Sequence, residues 1–182
     1  MKKYLFSFVV LFVLFSCSKN KNPLSFFSFS PELVRQFSTE HRPNAFVIDA
    51  DRSCMYLSIS DPSRRKDNQK ILKLSLDGAI LDTIADYREK GHGKYGYYQP
   101  LDLVLDDNSN LYVLVKPFTP NPDGSWFPLA EIGIMKYDHK GEFQNEYNFA
   151  IEENAWSFTA LAYRNGFLYV TNGSILTRIY QD

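Results

Sequence analysis

The chain has 182 residues, 45 % of them hydrophobic and 16 % aromatic, and its 20 Lys and Arg nearly balance 21 Asp and Glu, for a formal net charge of −1 at pH 7. A nucleic-acid surface needs a basic excess that displaces counterions from phosphates, and the absence of one argues against nucleic acid as a partner. The length suffices for one ordinary core, and two cysteines are too few for a disulfide framework.

The opening run MKKYLFSFVVLFVLFSC places Lys2 and Lys3 ahead of an apolar stretch, residues 4–15, broken only by Ser7. A membrane-crossing helix needs roughly 20 apolar residues, and the polar residues 16–20 follow too soon, so the segment reads as a cleaved export signal. Leu14-Phe15-Ser16-Cys17 resembles the bacterial lipobox, with Phe15 departing from the small residue usual at its position. The resemblance implies that residues 1–16 are removed as a lipoprotein signal peptide and that Cys17 is acylated with palmitate-like chains. At about 0.8 kcal/mol per buried methylene these chains would anchor the protein durably to a membrane. The expected address is the cell envelope, and Ser18 resembles an outer-membrane sorting signal. Loss of Lys2 and Lys3 leaves 18 basic and 21 acidic residues, a net charge of −3.

Residues 17–44 read as the lipidated cysteine and a tether. The stretch 18–30 is polar and Ser-rich, while Glu32-Leu33-Val34-Arg35-Gln36-Phe37 reads as a spare strand ahead of Pro43. From Phe46 onward, short apolar runs alternate with turn residues and helical periodicity disappears, which predicts an all-β fold over residues 45–182. Cys54 falls within one such run and reads as a core thiol, since no His or Asp stands near it in a catalytic or metal-ligand spacing.

The β region repeats. Tyr56, Tyr112 and Tyr169, spaced 56 and 57 residues apart, each sit in a strand that follows an apolar strand and a polar turn. Residues 71–78 and 134–141 then open a second hairpin into strands at 79–85 and 142–149. Each unit therefore holds four antiparallel strands. Such a sheet cannot cover both its faces alone and stacks against its neighbours, which is the logic of a β-propeller blade. Tyr98-Gln99-Pro100-Leu101-Asp102-Leu103-Val104-Leu105-Asp106 with Asn110-Leu111-Tyr112-Val113 resembles NHL-type six-bladed propeller repeats, and Tyr169-Val170-Thr171-Asn172 resembles the YVTN repeat signature. The resemblance implies antiparallel four-stranded propeller blades, about two and a half to three in this chain, in a partial β-propeller.

Propellers close with four to eight blades. The preferred reading is a truncated part of a longer propeller. The other is a homodimer, in which the strand at 32–37 completes the third blade of a partner and two chains form a six-bladed ring.

The connections at 61–70, 87–99 and 116–131 are long, whereas those at 106–110, 77–78 and 139–141 are tight. In a meander the long ones gather at one end of the sheets, where rigid scaffolds tend to present binding residues. Tyr95, Tyr97, Tyr98, Trp126 and Phe127, with Arg64 and Arg65, are the candidate ligand-face residues, suited to a protein, peptide or glycan. The same aromatics could instead pack the loops onto the sheets. His41, His92 and His139 fall in a linker, a loop and a turn, so no shared metal site is expected, and no cofactor. Residues 106–110 carry calcium-type oxygens but lack EF-hand spacing, and read as a turn.

No catalytic constellation emerges. A membrane-anchored lipoprotein carrying a binding or scaffold module is the leading expectation. The alternative is a propeller-type hydrolase, lactonase or lyase with a channel metal, for which Asp102 and Asn44 would be candidate ligands at the start of innermost strands.

Overall fold

The computed structural model describes residues 43–60, 69–87, 97–120, 126–128, 131–150, 160–171 and 176–180. The chain divides into two compact units, Met1–Val34 and Arg35–Asp182, and every described residue belongs to the second. The signal peptide at 1–16, Cys17 and the strand expected at 32–37 lie outside the described residues.

Among the described residues there are twelve strands and no helix. They are β1 (Pro43–Asp49), β2 (Cys54–Ser60), β3 (Gln69–Ser75), β4 (Ile80–Asp86), β5 (Tyr98–Leu105), β6 (Leu111–Pro120), β7 (Trp126–Pro128), β8 (Glu131–Tyr137), β9 (Phe143–Ala150), β10 (Ala160–Arg164), β11 (Phe167–Thr171) and β12 (Leu176–Tyr180). The first sheet runs β1-β2-β3-β4, the second β5-β6-β8-β9 with β7 paired to the far end of β6, and the third β10-β11-β12. Neighbours are antiparallel throughout, so each sheet is a meander of sequential strands.

The turns follow from residue type. In the β3–β4 and β8–β9 hairpins, Gly78 and Gly141 both hold φ at 89°, a left-handed conformation that costs glycine little, and their N–H groups close the turns by donating to Ser75 O and Asp138 O, each at 2.9 Å. Between β5 and β6, Asp106 Oδ1 accepts the N–H groups of Asn108 and Asn110 while Ser109 takes φ 58°. Ser53 does the same between β1 and β2 at φ 50°.

One face of the first sheet packs on the second sheet through Tyr56, Ile71, Ile84, Ala85 and Tyr87 against Leu103, Leu111, Val113, Val115, Met135 and Tyr137. The opposite face of the second sheet, with Tyr112, Leu114, Ile132 and Ile134, packs on Leu161, Leu168 and Val170 of the third. Each such side chain, fully buried, contributes on the order of 1.5–3 kcal/mol. Period-2 alternation puts successive residues of β6 into different junctions, which is why its centre is apolar without interruption and Val113 and Leu114 are both 0 % exposed.

The first strands of the sheets lie side by side. A β-bulge follows Pro43 in β1 and Pro100 in β5, 57 residues apart. At these bulges Asn44 Nδ2 donates to Leu101 O at 2.6 Å and Pro100 O at 3.2 Å, and Leu161 N donates to Asp102 Oδ2 at 2.7 Å.

Two expectations change. The stretch 116–131 is not all loop: β6 continues to Pro120, and β7 folds back on it with Phe118 opposite Pro128, Thr119 opposite Phe127 and Pro120 opposite Trp126. Aromatic and β-branched residues on both sides of the turn favour pairing. The sheet also starts at Pro43, so Asn44 belongs to β1 and not to the tether.

Candidate binding face

The β1–β2 and β3–β4 turns lie at one end of the first sheet, and its other connections leave from the opposite end. At that opposite end the connection from β2 to β3 is eight residues, β4 to β5 eleven and β9 to β10 nine, whereas the turns across from them contain two to five. The strand ends that bound the long connections form the candidate face.

The structure brings part of the expected set together there. Tyr97, half-buried, is fixed just ahead of β5, because its carbonyl accepts Phe118 N–H at 3.0 Å. Phe118 lies in the extension of β6 that pairs with β7, so the backbone of Tyr97 and the Trp126-Phe127 segment converge at one end of the second sheet. Tyr95, Arg64 and Arg65 lie outside the described residues.

Tyr98 belongs elsewhere. It is the first residue of β5 and only 2 % exposed, with its hydroxyl donating to Glu146 Oε1 at 2.8 Å and its ring 5.9 Å from that of Tyr87. The alternation that leaves Tyr97 near the surface turns Tyr98 into the core.

Sequence reasoning missed a polar group beneath this end. Ser60 and Gln69 are opposite each other on β2 and β3 and both are buried. Gln99 Nε2 donates to Ser60 Oγ at 3.0 Å, tying the first sheet to the start of β5, and Tyr87 N donates to Gln69 O at 2.8 Å, closing the ends of β3 and β4 within that sheet. Lys70 and Asp86 form an ion pair at 3.3 Å beside it. The available signal was a Ser and two Gln at strand ends, positions where an unpaired polar side chain would be costly.

The buried tyrosines have their acidity suppressed. Burial, followed by the neighbouring Tyr137 hydroxyl 3.0 Å away, pushes Tyr87 well above the usual tyrosine range. Burial also raises Tyr137, and it lifts Tyr56 to about 12. A general acid or base works best near the operating pH, so these hydroxyls stay neutral, Tyr87 and Tyr137 as a hydrogen-bonded pair and Tyr56 without a hydrogen-bond partner among the described residues.

Asn44 and Asp102 are both engaged in joining sheets, and Asp102 Oδ1 additionally accepts Leu103 N–H at 2.9 Å. Asp106 is occupied within its turn, with Oδ2 accepting from Asn110 Nδ2 at 2.8 Å and Tyr112 OH at 3.3 Å. His139 is exposed in the β8–β9 turn, and Cys54 is a buried free thiol. Among the described residues no group of three His, Cys, Asp or Glu side chains is placed to hold a metal ion.

Compared with known proteins, the chain matches no family model and no curated sequence.

Proposed function

We propose that the chain is a lipid-anchored binding or scaffold module of the bacterial cell envelope. Its three sheets are blades of a propeller-type scaffold, and the end bearing the long connections engages a protein, peptide or glycan. The observation that carries this reading is the contrast between the two ends. Tight hydrogen-bonded turns close one end, while the other carries the long connections, with Tyr97 and the β6–β7 pairing at that end of the second sheet and the buried Ser60 and Gln69, with half-buried Gln99, at that end of the first. A rigid sheet stack supporting variable connections at one end is how scaffolds separate stability from recognition. The stacking of three meanders, with matched first-strand bulges in the first two, supports the blade assignment. Cys17 supplies the anchor.

Photo-crosslinking amino acids placed in living cells at Tyr97 and Trp126, against Asn108 and Lys140 at the tight-turn end, test the reading. Discrete adducts from the first pair alone are expected, and equal labelling from both ends would overturn it. The anchor is tested separately: incorporation of labelled palmitate should vanish in Cys17→Ala.

A further inference from the structure

The turn after the first strand is built twice on one plan. Asp49 ends β1 opposite Cys54, and Asp106, just past β5, donates its N–H to the Asn110 carbonyl at 3.0 Å. Ser53 and Ser109 take left-handed backbone at matching places, with φ 50° and 58°. Two residues beyond Cys54 and Asn110 stand Tyr56 and Tyr112, both fully buried. Each faces a lysine on the next strand, Lys73 lying 5.8 Å over the Tyr56 ring and Lys136 5.4 Å over that of Tyr112. Period-2 alternation also puts each tyrosine on the same side of its sheet as the aspartate, as a diagonal neighbour at roughly 7–8 Å, within reach of a long side chain.

The two carboxylates are engaged differently. Asp106 Oδ2 accepts from Asn110 Nδ2 at 2.8 Å and from the Tyr112 hydroxyl at 3.3 Å. In the first sheet Cys54 stands where Asn110 stands in the second and has no amide to offer, and Arg52 fills the place. Its backbone N–H donates to Asp49 Oδ1 at 3.2 Å and its guanidinium to Asp49 Oδ2 at 3.3 Å. The Tyr56 hydroxyl is left buried with no hydrogen-bond partner among the described residues, although Asp49 lies near enough for its charge to act on it. The Asp49 side chain is 2 % exposed and that of Arg52 35 %, so a carboxylate turning away from Arg52 meets the tyrosine hydroxyl and not solvent.

We propose that Asp49 is a two-position latch: Arg52 holds its carboxylate at the turn, and withdrawal of the guanidinium passes it to the Tyr56 hydroxyl, giving the first sheet the bond that Asp106 and Tyr112 make in the second. An unpaired buried charge is strongly unfavourable, which drives the exchange, and the buried hydroxyl is the group the exchange satisfies. Tyr56 belongs to the core between the first and second sheets, so the state of a surface arginine is carried into that junction. This inference rests on the repeated turn geometry and is independent of the anchor and the ligand face.

The test is a double-mutant cycle in the full chain in mild detergent, read by urea unfolding. With Arg52 in place, Tyr56→Phe removes a hydroxyl that has no partner and should change the folding equilibrium constant less than about threefold. In Arg52→Met the same change should lower it at least about tenfold, the size expected for a hydrogen bond to a charged group. Tyr112→Phe, whose bond to Asp106 is present throughout, should act alike in both backgrounds. Proton NMR supplies a second reading, with the Tyr112 hydroxyl as the reference for detection. A slowly exchanging Tyr56 hydroxyl resonance should appear in Arg52→Met and in Arg52→Ala and be missing from the wild-type chain. Equal effects of Tyr56→Phe in both backgrounds, or a Tyr56 hydroxyl that behaves the same with and without Arg52, would overturn the proposal.

Discussion

The junction between the first and second sheets buries Tyr56, Tyr87, Tyr98 and Tyr137, whereas the one between the second and third buries Leu114, Ile132, Ile134, Leu161, Leu168 and Val170 around Tyr112. The two occupy equivalent places in the stack and are held by different physics. Aliphatic contacts are non-directional and scale with the surface removed from water. Tyrosines add hydroxyls that must find partners: Tyr87 pairs with Tyr137 and Tyr98 with Glu146, while the Tyr56 hydroxyl is buried with no hydrogen-bond partner among the described residues. Beside this pair Gly133 lets the strands close up, since a Cβ there would sit 2.9 Å from Val115 Cγ2 and 3.2 Å from Asn148 Oδ1. The tyrosine junction therefore specifies orientation, and the aliphatic junction supplies bulk stability.

Cavity formation gives the largest effect. Ile134→Ala, fully buried in the aliphatic junction, should destabilise the fold by about 2–5 kcal/mol, read from the urea midpoint of the full chain in mild detergent. A loss below ~1 kcal/mol would mean that the junction carries less than its burial indicates.

Gly141→Ala comes next and acts on the tyrosine junction. With φ at 89° the new side chain would be strained by roughly 1–2 kcal/mol. Its Cβ would also meet Ile84 Cδ1 at 2.6 Å, a flexible end that can rotate away. Backbone strain should therefore dominate, so Ile84→Val in the same chain should recover little of the loss.

Tyr137→Phe removes the hydroxyl pair with Tyr87 and should cost about 1 kcal/mol at neutral pH. Its pH dependence separates the junctions further. A tyrosine whose folded pKa exceeds its unfolded value stabilises the fold fully below pH 10 and loses that contribution as pH rises. For Tyr56 the loss runs from 10 to about 12. Urea midpoints should therefore fall steeply across that window, and Tyr56→Phe should flatten the fall, while Ile134→Ala should shift midpoints without changing their slope against pH. An unchanged slope in Tyr56→Phe would show that its hydroxyl reaches solvent.

Much of this arrangement was legible in the sequence. The 56- and 57-residue spacing of Tyr56, Tyr112 and Tyr169 marked equivalent strands, and Gly78 and Gly141 marked hairpins, because alternation and left-handed turns leave local signatures. The β6–β7 pairing was hidden by Pro120 and Pro128, which read as loop residues yet stand at the ends of the pairing. Asn44 and Asp102 read as channel residues because a polar side chain at the start of an inner strand looks the same whether it meets solvent or a neighbouring backbone. The run Tyr95-Gly96-Tyr97-Tyr98 does not show where loop becomes strand, so by sequence alone Tyr98 reads with the ligand face. The tyrosine–cation pairs needed strand register, which composition does not contain.

Those pairs give the smallest effect and the place where the two junctions should agree. Lys73→Met and Lys136→Met keep most of the aliphatic stem that covers Tyr56 and Tyr112 and remove only the charge. Each should cost about 0.5–1 kcal/mol, the range for a cation over a ring at a partly exposed site, and the two losses should match within a few tenths. Both cations are half-buried at the edge of a sheet stack, so solvent screens them alike. A markedly larger loss for Lys73→Met would trace to how the neighbouring carboxylates are held, since Asp49 near Tyr56 pairs with Arg52 whereas Asp106 near Tyr112 accepts from the Tyr112 hydroxyl. That result would extend the contrast between the junctions from hydroxyl pairing to charge, and a matched pair of losses would confine it to hydroxyl pairing.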